Sequence, residues 1–114
     1  MEVARGDLVV IAVSGDYGKP RPALVVQSDE FADLNSVVVL RLSSERRDFS
    51  LFRIDVRPTP ENGLRHPSQV MVDKAVTVPL ARIGQRIGRL NDDTLRAVDR
   101  ALGRFLGLVD PAEP

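Results

Sequence analysis

Arg21 stands between Pro20 and Pro22 in the stretch GDYGKPRPALVVQSD (15–29), at the mouth of a run that reads as a buried β-strand. A guanidinium presents a rigid fork of donors, keeps its charge at any working pH and pairs bidentately with phosphate oxygens, which a lysine ammonium does not copy. The flanking prolines restrict the backbone and leave the side chain preorganised. The same pattern also reads as an arginine that caps a turn or pairs with Asp16 or Asp29. A second polar cluster follows the third apolar run, where VVVL (37–40) delivers Arg41, Leu42, Ser43 and Ser44 and then the charged run ERRD (45–48). Two hydroxyls and three guanidiniums at a strand exit suit an anionic ligand, although serine followed by charges is also the composition of a solvated turn.

Other chemistries find little support. His66, in LRHPSQ (64–69), is the only imidazole of the chain and reads as a solvated loop side chain, although imidazoles as a class titrate where acid–base work is done. With no cysteine a thiolate nucleophile is excluded, His66 has no second imidazole or thiol to join in a metal cluster, and no Walker-type phosphate loop or G-x-S-x-G elbow is present. Aromatic residues are few. Tyr17 and Phe49 fall in loops, which rules against a broad stacking platform while leaving room for one or two bases.

The chain has 114 residues, enough for one core and too few for two. We expect a single domain over residues 1–110 followed by a frayed tail, DPAEP, at its end. Sixteen basic and sixteen acidic side chains cancel, so binding to nucleic acid has to rest on local clustering of charge. Arg41, Arg46, Arg47, Arg53 and Arg57 supply such a cluster, with Glu45, Asp48 and Asp55 close by in sequence. The absence of cysteine fits a reducing compartment, and no stretch has the length of a signal peptide core or a membrane span, so a cytoplasmic protein without membrane contact is expected.

Apolar runs rich in β-branched residues recur between turn signals: LVVIAV (8–13), ALVVQ (23–27), SVVVLRL (36–42), FRIDV (52–56), QVMVDKAV (69–76) and RIGQRIG (82–88). Six short strands predict a mainly β (α+β) fold, a small barrel or sandwich. The second run is apolar at nearly every position and so needs cover on both faces, as at the centre of a closed or strongly curled sheet. One helix is predicted at the end. Asn91 is its N-cap, Asp92 and Asp93 complement its dipole, and Leu95, Val98, Leu102 and Phe105 form its apolar stripe, with Gly103 and Gly107 weakening the last turns.

Five segments in order, RGDLVVIAV (5–13), RPALVVQSD (21–29), VVVLRLSS (37–44), VMVDKAVTVPLARIGQRIGRL (70–90) and LRAVDRALGRFLGL (95–108), resemble the MazF/PemK family of toxins from type II toxin–antitoxin modules. The resemblance spans Arg5 to Leu108 and is weakest between Glu45 and Pro67. It implies an SH3-like barrel of about six strands with a C-terminal amphipathic helix, and a homodimer. It further implies an endoribonuclease that cleaves single-stranded RNA through the 2′-hydroxyl with no metal or other cofactor. A cognate antitoxin with a disordered tail would neutralise it.

Residue by residue, Arg21 matches the catalytic arginine of the family's R-P motif, and Ser43 stands where the family usually has a threonine. Serine keeps the hydroxyl but lacks the β-methyl that restricts the threonine rotamer. Arg21 is thereby implied as stabiliser of the phosphate and transition state and as a candidate proton donor, with Ser43 as a donor to the scissile phosphate. Some members carry an arginine and an aspartate two residues apart on a later strand, where this chain has Met71 and Asp73. The loop at 14–20 is shorter than in many relatives, with Tyr17 placed to stack on a base and Lys19 to meet a phosphate. Ser44, Arg41, Arg46, Arg47 and Asp73 complete the RNA-binding candidates. Two further readings stay open: a fold relative that binds without cleaving, and a gyrase-poisoning toxin of the CcdB type. The second lacks support in the tail, where LGLVDPAEP (106–114) offers no aromatic anchor.

Overall fold

Apolar residues at consecutive positions of a strand need cover on both faces, because neighbouring side chains point to opposite sides of a sheet. The computed structural model describes residues 3–12, 19–48 and 51–110, and it meets that need by curling one antiparallel sheet around two cores. Its strands are β1 (Asp7–Ile11), β2 (Arg21–Val25), β3 (Ser36–Ser43), β4 (Arg53–Val56), β5 (Ser68–Pro79) and β6 (Ile83–Arg89), ordered β4-β5-β3-β2-β1-β6. Each apolar run of the sequence supplies one strand. Leu8, Leu24, Leu40 and Leu42 bury on one face with Leu90, Val98 and Ala101, whereas Val9, Ile11, Ala23, Val25 and Val39 bury on the other with Val78 and Ile83. β2 lies inside the sheet between β3 and β1, as its unbroken apolar character predicts.

The longest strand, β5, changes allegiance half-way. Val70 pairs with Leu42 and joins the helix-side core, while Val76 and Val78 pair with Val39 and Val37 and join the opposite one. Between them the register slips, since Leu40 faces Ala75 but Leu42 faces Val70, which leaves Met71 to Lys74 as a bulge. A bulge adds residues to one strand only and so turns the following side chains to the other face.

A loop closes the curl. Residues 57–67 leave β4 and fold back onto β6, where Arg89 N–H donates to the Glu61 carbonyl at 2.8 Å. Asn62, buried, shapes this loop: its Oδ1 accepts from Thr59 and Leu64 N–H, both at 3.0 Å, and its Nδ2 donates to the Arg57 carbonyl at 2.8 Å. Gly63 follows in the left-handed region (φ 70°), and a Cβ there would lie 2.0 Å from the Ile87 carbonyl oxygen.

The helix α1 (Asp92–Phe105) begins as predicted, with Asn91 accepting from Thr94 N–H at 2.8 Å and two aspartates in the first turn. Its stripe packs through Val98 and Ala101, and the Phe105 ring meets Phe52 at 6.1 Å. Gly103 and Gly107, read from sequence as weakening the last turns, are both used to close the helix end. Gly107 takes a left-handed conformation, and the bonds Leu108 N–H to Gly103 O (2.8 Å) and Gly107 N–H to Arg104 O (3.1 Å) form a Schellman cap. The tail 111–114 and the loop residues 13–18 lie outside the described residues. Among the described residues no helix is long and apolar enough to cross a membrane.

If the loop is clamped on β6 as its contacts indicate, Gly63→Ala lowers the free energy of unfolding by about 2–4 kcal/mol, combining left-handed strain with overpacking. Denaturant melts of the two proteins measure this, and a loss below about 1 kcal/mol would show that the contact yields cheaply.

Candidate functional site

The polar residues at the ends of β2 and β3 are brought together by strand register alone. Ala23 faces Arg41 and Leu24 faces Leu40, and this antiparallel pairing brings the start of β2, Arg21, and the end of β3, Ser43, to the same groove. Ser43 is opposite Gln69 on its other side, and Gln69 is opposite Asp55, while Arg21 faces Ile11 on β1. Ser43, Gln69 and Asp55 thus form one row across β3, β5 and β4.

A groove of about 720 Å³ opens at the Ser43 end of this row. Arg21, Arg41, Ser43, Ser44 and Glu45 line it together with Arg65, His66 and Ser68, with Val10, Met71, Gln85 and Ile87 among the remaining residues. Three arginines against one glutamate give it a positive character that the neutral total hides. The exposed Arg21 begins β2 at the rim, anchored by Ala23, Leu24 and Val25, all buried. Ser43 Oγ accepts from the Glu45 N–H at 3.0 Å, and its contact to the Glu45 carbonyl is longer, at 3.3 Å. The hydroxyl oxygen is therefore fixed by a good acceptor bond, while its proton is held only by a weak one and is available to a ligand.

Of the residues singled out from sequence, Arg21, Ser43, Ser44 and Arg41 meet in the groove. Lys19 and Arg46 are exposed but do not line it, and Tyr17 falls outside the described residues. Arg47 lies beside the groove, its guanidinium on Glu45 Oε1 at 2.7 Å and its backbone bonded to Gln69. Asp73 departs from the expectation of an RNA contact. It sits in the bulge of β5 as the bidentate partner of Arg53, at 2.9 and 3.2 Å, with its side chain only 17% exposed, and it takes no part in the groove lining. Its neighbour two residues back, Met71, does line the groove.

His66 is exposed in a loop, as the sequence reading has it, and the fold-back of the 57–67 loop also places it on the lining of the groove that holds Arg21 and Ser43, which the sequence did not indicate. The pair Asn62-Gly63 marks a turn, but the direction of that turn is set by contact with β6, 25 or so residues downstream, which no local pattern reveals. Among the described residues no three His, Asp or Glu side chains converge as a metal site.

This fold has known counterparts. A family model for PemK-like, MazF-like toxins of type II toxin–antitoxin systems matches residues 4–106. A protein of Mycolicibacterium smegmatis described as "probable endoribonuclease MazF" is 43% identical over 105 residues, covering 91% of this chain and 96% of its own. Among solved structures, an endoribonuclease in complex with its cognate antitoxin from a mycobacterial species superposes with a TM-score of 0.82 at 23% identity, over 96% of this chain and 99% of that one. The Mycobacterium tuberculosis toxin MazF-mt6 superposes with a TM-score of 0.77 at 25% identity, over 91% and 99% of the respective chains. With the family model spanning nearly the whole sequence and a close relative aligned end to end, this chain belongs to the PemK-like, MazF-like toxins of type II toxin–antitoxin systems.

Proposed function

We propose that this chain is an endoribonuclease toxin that cuts single-stranded RNA at chosen sequences through the neighbouring 2′-hydroxyl, and that a cognate antitoxin silences it by covering the groove. The observation that carries this reading is that Arg21 and Ser43 line the same groove, in which three arginines stand against one glutamate. The relative solved with its antitoxin supports the partner, and the reading includes a pair of identical chains as the working unit.

In such a cleavage the 2′-hydroxyl gives its proton to water, the O2′–P bond forms, the P–O5′ bond breaks to leave a 2′,3′-cyclic phosphate, and the departing 5′-oxygen takes up a proton. The pentacoordinate phosphorane in between carries extra negative charge on its equatorial oxygens. Arg21 meets that charge with fixed, paired donors, and Ser43 Oγ adds a third donor while its own oxygen stays held by the Glu45 amide. Ser43 thus obtains from a hydrogen bond some of the fixity that threonine draws from its β-methyl. His66 is the group in the groove whose side-chain type most readily moves protons near neutrality, and we assign it the proton that goes to the 5′-oxygen.

Three measurements test these roles. Cleavage of a long single-stranded RNA in EDTA is expected to give specific cuts with 5′-hydroxyl ends that fall by about 10²–10³ in rate for Arg21→Ala, with Arg21→Lys recovering little of the loss. No cutting by folded wild-type protein, with EDTA or with Mg²⁺, would move the reading to a binding module. For the hydroxyl, Ser43→Ala should slow the chemical step, whereas Ser43→Thr should stay within about threefold of wild type because the Glu45 bond already fixes the oxygen. His66→Ala should slow cutting of ordinary RNA by about 10²-fold, and a substrate with sulfur in place of the 5′-oxygen, whose thiolate leaves unprotonated, should remove most of that defect. An unchanged rate in His66→Ala returns the proton-donor role to Arg21.

A further inference from the structure

Gln69 is a buried amide, 5% exposed, at the point where β3 parts from β5. It is the partner of Ser43 in the last rung of that pairing, and its side chain does not line the groove. Instead the amide reaches along the departing chain: its Oε1 accepts from the Arg47 N–H at 2.8 Å and its Nε2 donates to the Arg47 carbonyl at 2.8 Å. These two bonds reproduce with a side chain what a neighbouring strand does with its backbone, and they hold the chain four residues beyond Ser43. The second Nε2 hydrogen goes to Asp55 Oδ1 at 2.9 Å. A flipped amide would turn its oxygen against that carboxylate, so Asp55 sets which end of the amide faces which group of Arg47.

Between the clamp and the strand end lies the turn that fixes Ser43. Ser43 Oγ is bonded to the Glu45 amide, and the Glu45 side chain is paired with the Arg47 guanidinium at 2.7 Å. The segment is thus tied at Arg47 by Gln69 and at Glu45 by Ser43, with one residue between. A serine without a β-methyl has three accessible rotamers, and what selects one of them here is the position of the Glu45 N–H. That position depends on where the far end of the turn is held.

We propose that Gln69 is a positioning residue for the cleavage reaction, acting through the Arg47 backbone and the Glu45 amide to set the rotamer of Ser43 in the groove. The inference rests on the functional reading above. Gln69 touches neither substrate nor reacting atoms. It supplies by long-range anchoring the restriction that a threonine at 43 would carry within itself.

The test is a set of variants read by cleavage kinetics and by hydrogen exchange. Gln69→Ala is expected to lower kcat by about 10–100-fold with KM within about twofold, since a misplaced donor is lost chiefly in the transition state. In a Ser43→Ala background the same substitution should cost less than about twofold, because the group it positions is already gone. Ser43→Thr should restore much of the rate in Gln69→Ala, which a general loss of structure would not permit. Equal losses in both backgrounds, or no rescue by threonine, would overturn the proposal. If Gln69→Ala does not fold, Asp55→Ala, a change at an exposed residue, removes only the bond that orients the amide. It should give a smaller fall of about threefold that Ser43→Thr again suppresses, and an unaltered kcat there counts against the proposal. Wild-type protein that cuts no RNA overturns the functional reading. Amide exchange at Glu45, expected to quicken at least about tenfold in Gln69→Ala, judges the clamp separately, and unchanged exchange refutes it.

Discussion

Strand register holds this site in place, and the register is held by residues that have no part in the chemistry. Leu24, Val25, Val39 and Leu40 are all essentially inaccessible, and they alternate between the two cores along β2 and β3. Burying each such side chain contributes on the order of 2 kcal/mol. A slip of one residue would turn every one of them to the wrong face, so competing registers lie several kcal/mol above the observed one. The meeting of Arg21 and Ser43 in one groove follows from that apolar lock, whose nearest members, Leu24 and Leu40, lie three residues away. Polar groups that face water have little means of choosing their own register; here the interior chooses for them.

Once the register is fixed, two irregularities turn a sheet into a groove. The bulge at Met71–Lys74 lets β5 serve both cores and bends it, which places Met71 in the lining and withdraws Asp73 to Arg53. The loop at 57–67 then crosses to β6, where the Glu61 and Gly63 contacts anchor it and carry Arg65 and His66 into the groove lining. Both features are departures from ideal pairing. Regular ladders give the site its spacing, and their interruptions give it its walls.

How much of this was legible in the sequence follows the range of the interactions involved. The six strands and the capped helix rest on local patterns, and all of them were readable, as were Arg21, Ser43, Ser44 and Arg41 as groove residues. The bulge was hidden because Val70, Val72, Val76 and Val78 keep one parity throughout β5 and mimic an unbroken alternation. Lys74, charged and exposed at the position where that alternation calls for an apolar side chain, is its only local mark. Gln69 carries no local mark, since the backbone its amide bonds, that of Arg47, lies 22 residues earlier. His66 depended on a contact between backbones, which no side-chain pattern encodes.

The charge balance fits the same division between scaffold and site. With sixteen cationic and sixteen anionic side chains, the molecule exerts little net field beyond a Debye length of about 8–10 Å at physiological salt. Several arginines outside the groove are neutralised at close range, Arg53 by Asp73, Arg86 by the buried Asp7 and Arg96 by Asp93. Inside it, Arg21, Arg41 and Arg65 face a single glutamate, which is itself turned toward Arg47. The positive character of the groove is thus a local property of Arg21, Arg41 and Arg65, set within a chain whose total charge is zero, and it acts only over the short range that screening permits.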